Sequence, residues 1–215
     1  MNNAIDYFLR TENTVRMLLA ENETCKTKVR LIQENIMVNS ALSESLVSSK
    51  SFIDWWVKNK NEKDVTFEAH KRYSLEAFAS SLLAGTVLQI AARAIELYSE
   101  NTTVPNEWGK IVRRSFPIPK FFIGRTVHTV PVGLVIYSGR DQYLKTYSGR
   151  VIEAINQEVF ARLANFSRRL EFQNFVERSS GFYSMHAEYL ASNVLDILCW
   201  NSYDQYIEDM QQALL

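Results

Sequence analysis

Residues 130–150 read VPVGLVIYSGRDQYLKTYSGR, a stretch whose charged and phenolic groups could act on an anion. Arg140 follows a mostly apolar run, where a charge needs a partner or a task. A guanidinium can hold a phosphate or a carboxylate through a forked pair of hydrogen bonds. On a helix, Arg140, Tyr143, Leu144 and Tyr147 share one stripe, offset by three, four and seven residues. Asp141 and Lys145, four apart, lie on the adjacent stripe in the favourable acid-before-base order. Lys145 and Tyr147 have ordinary pKa values of about 10, so either could donate to a phosphate oxygen and neither is a ready base. A structural alternative ties Arg140 to a carboxylate elsewhere and leaves Asp141–Lys145 as a surface ion pair.

Upstream, Lys110, Arg113, Arg114, Lys120 and Arg125 fall within sixteen residues that contain no acid. They form either solvated surface or a phosphate-facing rim, the rim being Arg113, Arg114, Lys120 and Arg125. The last twenty residues carry Asp196, Asp204, Glu208 and Asp209 and no Lys or Arg. Formal net charge over the 215 residues is zero, which does not favour a general polyanion-binding role.

Several chemistries find no support. Cys25 and Cys199 are too few for a disulfide framework, and His70, His128 and His186 are too scattered for a zinc signature. There is no phosphate-binding glycine loop, HExxH motif or nucleophile elbow, so neither a cofactor nor a metal is expected. The sequence shows no basic-then-apolar leader, and no apolar run is expected to approach the roughly 18 residues of a membrane span. A reducing cytoplasm is the expected setting.

The elements that must position these groups are helical. All four prolines fall between 105 and 131, and the first hundred residues hold one glycine, Gly85. Since Pro and Gly interrupt helices most strongly, those hundred residues are expected to be almost all helix. Ile5, Phe8, Leu9, Val15, Leu18 and Leu19 repeat as one helical face. Residues 66–100 carry a strong helix pattern, apolar on more than one face through Ala77–Ala94, as in a central buried helix, where Gly85 would admit a close neighbour. Residues 101–130 form an irregular connection, with Phe116-Pro117-Ile118-Pro119 expected to be extended. Helical spacing resumes at Val151–Phe175, breaks at Ser179-Ser180-Gly181, and returns over Tyr189–Leu198 and Tyr203–Leu214, with Trp200 and Tyr203 sealing the junction.

Residues 134–147 taken alone could be a hairpin, but no other segment offers a third strand. The helical reading takes Thr129 as a cap, Pro131 in the first turn and Gly149 as the stop. The expected architecture is a single all-α domain over 1–215. Its core is 66–215, and whether 1–60 joins that core or forms a helical arm is left open.

The apolar helix ending in Arg140-Asp141 resembles the motif of HEPN domains. That resemblance implies a HEPN-like helical bundle, a prokaryotic defence or toxin–antitoxin role, a homodimer, and metal-independent cleavage of RNA. It assigns phosphate binding to Arg140 and orientation to Asp141. The family motif continues with a histidine after four to six intervening residues, where this chain has Lys145, Thr146 and Tyr147. Histidine titrates near neutrality and suits the base role; Lys145 or Tyr147 would be a weak substitute acid. The resemblance therefore implies RNA or nucleotide binding with weak or lost cleavage. A non-catalytic helical scaffold or regulator that binds a protein partner, with Trp55-Trp56 at its interface, is the alternative.

Overall fold

The structure, a computed structural model, describes residues 3–44, 60–112, 117–145, 153–164 and 190–215. Arg113, Arg114, Tyr147, Thr146, Gly149, Trp55, Trp56, His186 and the Ser179–Gly181 break lie outside these residues. The described chain is mostly helical, with one two-stranded sheet.

Helix α1 (Asn3–Glu44) and helix α2 (Lys60–Tyr98) pack along each other. Ala4, Phe8, Val15, Leu18 and Leu19 of α1 are buried, so its N-terminal half belongs to the core and is not a detached arm. Ile5 and Leu9, expected on the same face, point outward. Helix α2 is the central element. Ala84, Val87, Leu88, Ala91, Ala92, Ala94 and Ile95 are fully buried, and the alanines let neighbouring backbones approach closely. A side chain at Gly85 would place its Cβ 2.5 Å from the Tyr143 ring. The glycine expected to admit a neighbour does so.

The exit from α2 is tied down by polar groups. Ser99 Oγ donates to the Lys120 carbonyl (2.8 Å), Asn101 Nδ2 to the Pro119 carbonyl (2.7 Å), and Lys120 Nζ to the Glu96 carbonyl (2.6 Å). The last bond satisfies a carbonyl that the helix end leaves without an intrahelical donor. Ile118–Phe121 forms a 3-10 helix, which corrects the expectation of an extended segment. Proline is tolerated at the first positions of a helix, where its missing N–H would be unpaired anyway.

A short hairpin follows, β1 (Thr126–Val127) and β2 (Val130–Pro131), with Val127 opposite Val130. Its two central residues, His128 (φ 47°) and Thr129 (φ 71°), are both left-handed. Tight hairpin turns need this backbone, but Asn-Gly supplies it more easily than His-Thr. Thr129 is thus a turn residue and not a helix cap, and Pro131 is in a strand, as helix α3 (Val132–Lys145) starts one residue later. Thr129→Gly is expected to raise stability by about 1 kcal/mol, since a β-branched residue is costly at positive φ. Urea denaturation would register this as a higher midpoint at unchanged slope.

Helix α3 buries every residue from Val132 to Gly139, so 134–145 is helix and not a hairpin. It packs on α2, on α4 (Ala154–Ala164) and on α5 (Leu190–Leu198). Gly139 lies where a Cβ would meet Val194 Cγ1 at 2.9 Å. Helix α6 (Tyr203–Leu214) covers α1, and Trp200 and Tyr203 are buried at the junction, as expected. Ser80 Oγ bonds Asn22 Oδ1 (2.8 Å) and Ser192 Oγ (2.9 Å), linking α1, α2 and α5 through the core. Lys26 joins the same three-helix region by pairing with Asp196.

Among the described residues one segment, Lys71–Tyr98 of α2, is long and apolar enough to cross a membrane, which corrects the expectation that no apolar run is; half of its most apolar window is buried against the rest of the chain.

Candidate functional site

Arg140 is answered within the fold. Its Nη1 donates to Glu96 Oε1 at 2.5 Å, and its side chain is only 14% exposed. The Phe121 and Tyr137 rings each lie 5.6 Å from the guanidinium carbon, within reach of a cation–π contact. Helical side chains lean toward the N-terminus, which explains why Arg140 meets Tyr137, three residues earlier. Tyr143, expected on the Arg140 stripe, instead packs on Gly85. Arg140 Nε is buried and has no hydrogen-bond partner among the described residues.

Glu96 also accepts from Arg93 Nη1 at 3.3 Å. Burial acts to raise the Glu96 pKa, but hydrogen bonds and charge from Arg140 and Arg93 outweigh it and hold the carboxyl below its ordinary value. Glu96 stands in the last turn of α2, the end of the helix dipole that disfavours an acid. That misplacement is the signal in the sequence that could have marked it as Arg140's partner.

Asp141 and Lys145 form the expected pair, at 2.8 Å, but it is largely buried and has more members. Asn156 Nδ2 of α4 donates to Asp141 Oδ2 at 2.5 Å, Lys145 Nζ also reaches Glu153 Oε1 at 2.7 Å, and the Tyr137 hydroxyl donates to Glu153 Oε2 at 3.3 Å. Burial acts to lower the Lys145 pKa, yet the hydrogen bonds it donates to Asp141 and Glu153, with their charges, raise it overall. Burial, followed by the charges of Glu153 and Asp141, pushes the Tyr137 hydroxyl far up. Both groups therefore hold their protons firmly at neutral pH. The sequence reading missed Glu153 and Asn156, because contacts between α3 and α4 have no signature in residue spacing.

Of the four residues of the expected rim, Arg125 and Lys120 lie among the described residues. Arg125 turns inward, with Nε on Asp209 Oδ1 (2.6 Å), and Nη2 on Asp209 Oδ2 (2.9 Å) and the Leu198 carbonyl (2.9 Å). Trp200 Nε1 donates to the same carboxylate at 2.8 Å. Asp209 is 5% exposed, so Arg125 has its fork filled by a core carboxylate and does not face solvent phosphate through it. Lys120 lies beside the Arg140 pair, on the Glu96 carbonyl. His128 sits exposed at the hairpin tip, and His70 lies in α2.

Among the described residues no group of three or more His, Cys, Asp or Glu could hold a metal ion. Comparison of the chain with protein-family models, curated proteins and solved structures gives no match.

Proposed function

We propose that this chain is a HEPN-like cytoplasmic protein of a prokaryotic defence or toxin–antitoxin type that binds RNA or a nucleotide, with weak or lost cleavage. The observation that carries the reading is the character of the groups around Arg140. A guanidinium suited to phosphate lies beside two rings, while the potential proton acceptors nearby, Lys145 and Tyr137, keep their protons. Internal attack on a phosphodiester needs a base as well as a cation. Binding without efficient cleavage follows. In this reading Asp141 holds Lys145 and α4 in place, and the protein acts as a homodimer.

The test is metal-free incubation of the purified chain and Arg140→Ala with single-stranded RNA, following both cleavage and retention. The expected result is retention that weakens about tenfold or more in the variant, without cleavage, a charge-assisted phosphate contact being the larger kind of hydrogen bond. Rapid cleavage by the wild type, or retention unchanged in Arg140→Ala, would defeat the proposal.

A second reading, a scaffold for a protein partner, is favoured by one feature. Leu75, Phe78 and Leu82 form an exposed apolar ridge at helical spacing on α2.

A further inference from the structure

Two guanidinium groups share one carboxylate at the end of α2. Arg140 and Arg93 both donate to Glu96, and Lys120 caps the backbone carbonyl of the same residue. One side-chain anion thus faces two side-chain cations. Glu96 is itself poorly placed, an acid where α2's own dipole disfavours one. The rings of Phe121 and Tyr137, each 5.6 Å from the guanidinium carbon, give Arg140 contacts that do not involve Glu96.

We propose that Glu96 is an internal competitor. Its carboxylate occupies the place of a phosphate group between Arg140 and Arg93, and an incoming phosphate binds by displacing it. The ligand class is a tetrahedral oxyanion, which offers more acceptor oxygens than a carboxylate and can bridge Arg140 Nη1 and Arg93 Nη1 as Glu96 does. Glu96 remains 22% exposed, so its side chain has solvent to swing into when released. The inference rests on the phosphate-binding reading above, and it adds a threshold: weak anions leave the Arg140–Glu96 tie closed.

The experiment uses the full chain with two probes, inorganic phosphate and a single-stranded oligoribonucleotide, at fixed ionic strength. Glu96→Gln is expected to bind phosphate about tenfold more tightly than the wild type, within the usual range of coupling between competing ligands. The gain should vanish in Glu96→Gln combined with Arg140→Ala. Equal phosphate affinity in wild type and Glu96→Gln overturns the inference. If Glu96→Gln does not fold, the wild type decides by carboxyl NMR. Saturating phosphate should return the depressed Glu96 titration toward its ordinary value, and an unmoved titration overturns the inference. The RNA arm separates the two ideas. A gain for phosphate with no RNA bound by either protein keeps the competitor and removes the RNA reading. RNA bound equally by both, with no phosphate gain, does the reverse.

Discussion

Asp209→Ala is expected to lower unfolding stability by about 3 kcal/mol, the lower end of the cost of breaking a buried charge pair. The carboxylate is 5% exposed and accepts three hydrogen bonds, two from Arg125 and one from Trp200 Nε1. Truncation leaves the indole N–H of a fully buried tryptophan without an acceptor and removes the countercharge of Arg125. The Arg125 side chain is 38% exposed, so water screens part of its stranded charge, which is why the lower figure applies. The loss should also loosen a specific seam, because Arg125 holds the chain before β1 to both α5 and α6. Urea denaturation gives the magnitude. Hydrogen exchange should show the α5–α6 amides losing protection first; an Asp209→Ala protein as stable as wild type would mean the carboxylate's bonds do not persist in solution.

Gly133→Ala is expected to destabilise by about 3 kcal/mol, the upper part of the usual range for overpacking. A Cβ at this position would land on the carbonyl oxygen of Phe121, a backbone atom that cannot rotate aside. The surrounding backbone is pinned. Gly133 N–H donates to the Ile123 carbonyl (3.2 Å), Val132 N–H to the Arg125 carbonyl (2.8 Å), and Phe121 belongs to the 3-10 helix fixed beneath α2. The strain would therefore separate the start of α3 from that turn. Gly109→Ala is the control: it is exposed and its Cβ would meet only the Asn106 carbonyl, at 3.4 Å. It should change stability by less than about 0.5 kcal/mol, as surface substitutions usually do. Thermal and urea midpoints of the two variants provide the comparison, and a Gly133→Ala protein no weaker than Gly109→Ala would show that α3 can shift freely.

Much of the helical layout was legible before any coordinates. The absence of Pro and the single Gly in the first hundred residues correctly announce long helices, because few residues there oppose continuous backbone hydrogen bonding. The Tyr203–Leu214 helix is read to its ends, helped by Ser202 and Gln205, whose side chain accepts from the Ser202 N–H at 3.2 Å. Residues 117–131 were read less well. Proline's local preferences suggested extension at Ile118 and a helix start at Thr129, and packing against the end of α2 selected a 3-10 helix and a hairpin instead.

The same division runs through the candidate site. Residue type and spacing determined that Arg140 needs a partner and that Asp141 and Lys145 face each other, since both follow from a charge in an apolar run and from helical periodicity. Only the tertiary structure decided which carboxylate answers Arg140 and which answers Arg125. Glu96 is 44 residues from Arg140 and Asp209 is 84 from Arg125, separations over which chain spacing carries no information about contact. The direction in which each cation turns is set by the helices packed around it, and in this fold that packing turns Arg125 onto a carboxylate of the core and Arg140 onto one at the end of α2.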